Sequence, residues 1–139
     1  MPYSVAVEKT IPRPRHEVFA ALMDFGAIAK LAPDAIATCR VEGTGVGAIR
    51  YFTLKGDPTE MAERLECAHG ETVFSDSLIT PNPLGLEHYH SVVILAYAVG
   101  GGCSITWGSN WTSLTTPATE MKAMLSHLYV TLIDAIARS

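Results

Sequence analysis

The stretch PATEMKAMLSHLYVTLIDAIAR, residues 117–138, decides how the chain is built. Pro117 opens it, at a position where a missing N–H costs a helix nothing. At ~100° per residue, Met121, Met124, Leu125, Leu128, Tyr129, Leu132, Ile133 and Ile136 fall on one broad face, and Lys122 intrudes only near the start. A helix with so wide an apolar face needs a broad surface to lie on.

The residues before it supply that surface. Residues 36–41, 48–54, 59–67, 72–80, 88–99 and 103–112 read as strands. Between them stand turn compositions such as Glu42-Gly43-Thr44-Gly45, Lys55-Gly56-Asp57-Pro58 and Pro81-Asn82-Pro83-Leu84-Gly85. Links this short between successive strands predict an antiparallel meander. Further out, residues 3–10 alternate as a first strand. Pro14 then starts a helix with Val18, Phe19, Leu22 and Met23 on one side, and residues 25–31 form a second short helix that Pro33 stops. The expected fold class is α+β: a seven-stranded curved antiparallel sheet around a long C-terminal helix, with two short helices after strand 1. One domain spans residues 1–139. A sheet of seven strands twists and curls, so a helix across its concave face fills one end and leaves the other hollow.

Composition fits this. With 139 residues, 48% apolar and 17% charged, the chain is globular and able to build a core. Its net charge of −4 and the lack of any Lys/Arg run argue against a nucleic-acid partner. The longest apolar run, residues 92–99, is too short to insert in a bilayer. No leader pattern opens the chain, so a cytoplasmic location is expected. Cys39, Cys67 and Cys103 read as reduced thiols. His88 and His90 form an HxH pair without two further ligands, so no metal and no cofactor are expected.

Alternation assigns faces. Met61, Glu63 and Leu65 share a side, so Glu63 points inward among apolar neighbours. There a carboxylate is costly unless paired or protonated. Arg50 shares a face with Phe52 and Leu54 and is its natural partner. Tyr129 lies at the edge of the final helix's apolar face, either packed in the core or with its hydroxyl in the hollow.

Several phrases in order, Ile11-Pro12-Arg13-Pro14, Asp24-Phe25, Pro33-Asp34, Gly45-Val46-Gly47-Ala48-Ile49-Arg50, Glu63-Arg64-Leu65-Glu66, Tyr89-His90-Ser91 and Thr106-Trp107, resemble the START-like or Bet v-type helix-grip superfamily (SRPBCC). The nearest branch looks like the polyketide cyclase/dehydrase-like proteins and the plant abscisic-acid receptors. The resemblance implies a polar floor of Arg50, Glu63, Tyr89 and Ser91 under an apolar ligand, with the loops at 55–58 and 81–86 as gate and latch. The receptors' ligand-binding lysine falls on Ala37, which argues against an acidic hormone of that kind.

Two registers stay open. A two-residue turn at His69-Gly70 sets Asp76 across from Glu63, making a carboxyl dyad. The family spacing puts Ser75, Ser77 and Ile79 inside and Asp76 outside, and it is the favoured expectation. Likewise Ile105, Trp107 and Trp111 are the more apolar set of the last strand, whereas the family spacing turns Thr106, Gly108 and Asn110 inward. If Trp107 and Trp111 face outward beside Val92 and Ile94, they suggest a homodimer.

The functional expectation is a binding protein for a small, mostly apolar molecule. Its ligand-binding set is Phe52, Leu54, Met61, Glu63, Ser77, Ile79, Leu86, Tyr89, Ser91, Asn110, Leu125 and Tyr129. The alternative is a cofactor-independent cyclase, dehydratase or isomerase in which Glu63 moves a proton and Arg50 steadies charge.

Overall fold

A computed structural model describes residues 2–139. Strand β1 (Val5–Ile11) is followed by α1 (Arg15–Met23), a 3-10 turn (Phe25–Ala27) and α2 (Ile28–Leu31). Then come β2 (Ile36–Glu42), β3 (Ile49–Leu54), β4 (Met61–His69), β5 (Val73–Leu78), β6 (Leu86–Tyr97), β7 (Cys103–Ser113) and α3 (Ala118–Arg138). The sheet order is β1-β7-β6-β5-β4-β3-β2, with every pairing antiparallel. The meander is therefore closed off by β1, which returns to pair with the last strand.

Helix α3 lies on the concave face. Met121, Leu125, Tyr129, Leu132, Ile133 and Ile136 are buried there. Met124 departs from the expected face and stays 48% exposed. The inner face of β1 carries Val5, Val7 and Ile11 together with Lys9, whose Nζ meets Asp134 of α3 at 2.6 Å. Pro14 sits just before α1, and its carbonyl accepts from the amides of Glu17 and Val18.

Two irregularities decide which side chains face inward. Gly70, Glu71 and Thr72 make a three-residue turn between β4 and β5, and Glu66 bulges between the pairs Leu65↔Asp76 and Cys67↔Ser75. That turn alone would set Leu65 against Ser77 and turn Asp76 out, as the family spacing implies. The bulge absorbs one residue and brings Asp76 inside. The expectation for Ser77 and Ile79 is therefore corrected. Ser77 is on the outer face, where its Oγ lies 2.9 Å from His90 Nδ1. Ile79 lies past the strand end, 39% exposed. A second bulge separates Glu87↔Thr112 from His90↔Asn110 and holds His88 at φ +56°. It puts Leu86 and Tyr89, three residues apart, on the same face.

On β7 the apolar set is the inner one. Val7 pairs with Trp107 and Lys9 with Ile105, so Trp107 is buried against α3 and stacks on Tyr129 with ring centroids 5.5 Å apart. Gly108 faces out beneath the Tyr3 ring, where any side chain would collide with it. Asn110 is thereby corrected to the exposed face, its Oδ1 accepting from the Ser4 amide at 3.1 Å. Trp111 also turns inward, with Nε1 donating to Ser109 Oγ at 3.2 Å. The outward tryptophan patch behind the homodimer expectation is not formed.

Candidate functional site

The floor of the hollow starts where β3 and β4 pair Arg50 directly with Glu63. Both side chains are buried. Arg50 Nε donates to Glu63 Oε1 at 3.0 Å, Nη1 to the Phe25 carbonyl at 3.2 Å and Nη2 to Asp76 Oδ2 at 3.2 Å. The guanidinium also lies 4.1 Å from the centroid of the Phe25 ring. Ser91 Oγ on β6 donates to Asp76 Oδ1 at 2.9 Å. Four adjacent strands, β3 to β6, thus each contribute one polar side chain to a single cluster.

One cation faces two carboxyls here, away from water. Burial lifts Glu63 from its ordinary 4.5 to about 8, with Asp76 adding to the rise and Arg50 opposing it. Asp76 is raised for the same first reason, while Arg50 and Ser91 hold it down in part. Burial works against the charge on Arg50, but Glu63 and Asp76 outweigh it and raise its pKa. Raised to about 8, Glu63 keeps its proton at neutral pH, while Arg50 also lies 3.2 Å from Asp76.

Beside this cluster runs a chain of hydroxyls. Tyr129 donates to Ser109 Oγ at 2.7 Å, and Tyr89 lies 2.6 Å from Tyr129, oxygen to oxygen. Burial pushes both phenols well above their usual range. Neither is a base at ordinary pH; both serve as neutral hydrogen-bonding groups.

Above the floor is a cavity of about 80 Å³. Arg50, Glu63, Asp76, Tyr89, Ser91 and Tyr129 border its polar end. Phe52, Met61, Leu78 and Trp107 line its walls, and Leu54, Leu84, Leu86, Leu125 and Leu128 surround the far end. Leu54 lies four residues along β3 from Arg50, roughly 13 Å at strand rise. Leu54, Leu84 and Leu128 are only half-buried, which locates the mouth. The structure thus gathers ten of the sequence-derived positions (Arg50, Phe52, Leu54, Met61, Glu63, Leu86, Tyr89, Ser91, Leu125 and Tyr129) around one hollow, and leaves Ser77, Ile79 and Asn110 outside it. Asp76 and Trp107 enter by the bulge and by the strand's own apolar alternation, the signal that pointed to Trp107.

The two rims differ. On one side Asn82 Oδ1 accepts from the amides of Leu84 and Leu86 at 3.1 Å each, and its Nδ2 donates to the Leu86 carbonyl at 2.8 Å. Leu114 N donates to the Gly85 carbonyl at 2.8 Å. Gly85 (φ +69°) packs on Thr115 so closely that a side chain would collide. On the other side, residues 55–60 are held by Lys55 N to the Ala35 carbonyl at 2.9 Å, Asp57 N to the Leu54 carbonyl at 3.2 Å and Thr59 N to Asp57 Oδ1 at 2.8 Å.

A curved sheet gripping a long helix around a hollow with a polar floor defines the helix-grip class. Within it, the chain belongs to the family described as polyketide cyclase/dehydrase and lipid transport, whose model matches residues 2–138. That membership supports a ligand-binding or cyclase-type role. No curated protein matches the sequence. Among solved structures, the Bacillus cereus protein XoxI is similar at TM-score 0.80 and 15% identity, over 96% of this chain and 92% of that one. A Thermobifida fusca protein gives TM-score 0.78 and 19% identity, over 96% and 89%. Norcoclaurine synthase from Thalictrum flavum, solved with dopamine and hydroxybenzaldehyde, gives TM-score 0.76 and 18% identity, over 96% and 83%. Identities this low carry the fold alone. Among the described residues, no helix is long and apolar enough to cross a membrane. Nor do three or more His, Cys, Asp or Glu side chains gather into a metal-binding group there.

Proposed function

We propose that the chain binds a small, mostly apolar organic molecule in this cavity, its apolar body toward the mouth and its polar end on the Arg50–Glu63–Asp76 floor. The supporting observation is the hollow itself: walls of carbon, with oriented polar groups gathered at one end. Both activities in the family's description, cyclisation or dehydration and lipid transport, act on molecules of this character. At about 80 Å³ the cavity is far below the ~300–1,000 Å³ that drug-sized ligands occupy, so anything much larger than one ring needs the mouth to part. Native mass spectrometry of the purified protein tests this by weighing any co-purifying molecule. Fluorescence titration with small apolar compounds adds a second readout, because Trp107 lines the hollow. Absence of a bound mass together with no saturable change in emission sinks the reading.

A catalytic reading rests on one observation: Glu63 holds its proton to about pH 8, close to where a general acid or base works best. In this reading Glu63 moves a proton while the Arg50 guanidinium steadies developing enolate charge. Glu63→Gln separates the two readings. Lost turnover with retained affinity indicates chemistry; unchanged behaviour in both assays removes Glu63 from either role.

A further inference from the structure

The hydrogen atoms around the floor can be counted. Of the five N–H bonds of Arg50, Nε uses one on Glu63, Nη2 faces both Asp76 and Glu63, and Nη1 uses one on the Phe25 carbonyl, which leaves one Nη1 N–H over. Ser91 donates to Asp76. Tyr129 donates to Ser109, so the short Tyr89–Tyr129 bond uses the proton of Tyr89. Two donors remain. One is the second N–H of Arg50 Nη1, because the carboxyl proton is taken up between Glu63 and Asp76. The other is the indole N–H of Trp107, which is buried without a partner in a side chain that lines the cavity. Buried donors are rarely left unpaired, and the ring that carries this one lines the space a ligand would fill.

Charge limits the ligand further. A carboxylate would be a third acid beside one arginine whose charge is already balanced, with both ions out of water. An ammonium ion would have to displace the shared proton. We propose that the floor is a hydrogen-bond-donor site that selects uncharged molecules bearing an acceptor, such as a ketone or aldehyde, over carboxylates and ammonium ions of the same size. This rests on the cavity being a ligand site and goes further by naming the ligand's charge and polar group.

The proton has a definite setting. Arg50 faces it from β3, Asp76 from β5, Tyr89 from β6 and Tyr129 from α3. Cys39 of β2 and Glu66 of β4 add weaker fields, and the 3-10 turn supplies the Phe25 carbonyl to Arg50. Glu63 keeps its proton up to about pH 8, and above that the floor gains a negative charge that repels an acceptor's lone pair, so the preference for acceptors belongs to neutral and acidic pH.

Four one-ring probes test this on the wild-type chain: toluene, acetophenone, benzoate and benzylamine, followed by saturation-transfer NMR and tryptophan fluorescence at pH 6 and pH 9.5. Acetophenone is expected to bind about tenfold more tightly than toluene or benzoate at pH 6, on the scale of one or two hydrogen bonds. Its advantage should shrink at pH 9.5, while benzylamine gains. Trp107→Phe should weaken acetophenone about fivefold and leave toluene unchanged. Glu63→Gln, whose amide still donates, should keep the preference and lose its pH dependence. If benzoate or benzylamine matches acetophenone at pH 6, or acetophenone is no better than toluene, the selectivity is refuted and the cavity reading survives. If no probe binds, both are refuted. The wild-type series decides the matter even where a variant fails to fold.

Discussion

The two ends of the cavity are built on opposite principles. At the floor, Arg50, Glu63, Asp76 and Ser91 are buried and tied to one another through ionic hydrogen bonds. At the mouth, Leu54, Leu84, Leu86, Leu125 and Leu128 offer only carbon. The floor has fixed geometry because every departure from it strands a charge in a dry interior. The mouth has tolerance because leucines repack at modest cost. A ligand held between them would be oriented by one end and accommodated by the other.

The sharpest way to break this contrast is to remove the shared cation. Arg50→Met leaves two buried carboxyls with no counter-ion and should cost about 3–5 kcal/mol in urea unfolding. A loss no larger than that of a mouth substitution would show that the floor is not the stiffer end.

Proton linkage gives an effect of similar size. Glu63 is raised from 4.5 to about 8 on folding, and Asp76 moves in the same direction. The folded state therefore binds the proton more tightly than the unfolded chain. This stability is fully present below about pH 4.5 and is lost as pH rises through about 8, on the order of 4–5 kcal/mol. Urea midpoints at pH 5 and pH 9 should differ accordingly, and Glu63→Gln should flatten the difference. A wild-type midpoint that rises over the same interval contradicts the assigned sign.

At the mouth, Leu125→Ala should cost about 2 kcal/mol, the low end for a buried leucine, because its side chain already borders empty space. Asn82→Ala should cost least, about 1 kcal/mol. Hydrogen exchange locates that loss: the amides of Leu84 and Leu86 should lose protection first, with the amides of β4 and β5 unaffected.

Legibility in the sequence follows the same division. The period-3.6 face of α3 and the alternation of β3 and β4 are direct images of burial, so the fold, Arg50 and Glu63 could be read from them. Arg50 and Glu63 also pair without irregularity. Asp76 could not be placed, because it lies beyond a bulge that leaves no compositional mark, whereas Asn110 follows the plain alternation of β7 that the family spacing overrode. His88 takes φ +56° and Glu71 φ +59° where a glycine would have signalled the turn of the chain. Trp107 was legible from alternation alone, and the family spacing obscured it.

The rim held by Asn82 has a consequence for time rather than for shape. One jamb of the doorway hangs on the Asn82 side chain and the other on two backbone bonds and the Asp57 carboxylate, so traffic depends on which of these sets opens and on rotation of Leu128. The residence time of a guest would then be governed by the bonds of the rim, which are separate from the floor groups that grip it. Tight and slow would be separate properties, adjustable in different parts of the same small protein.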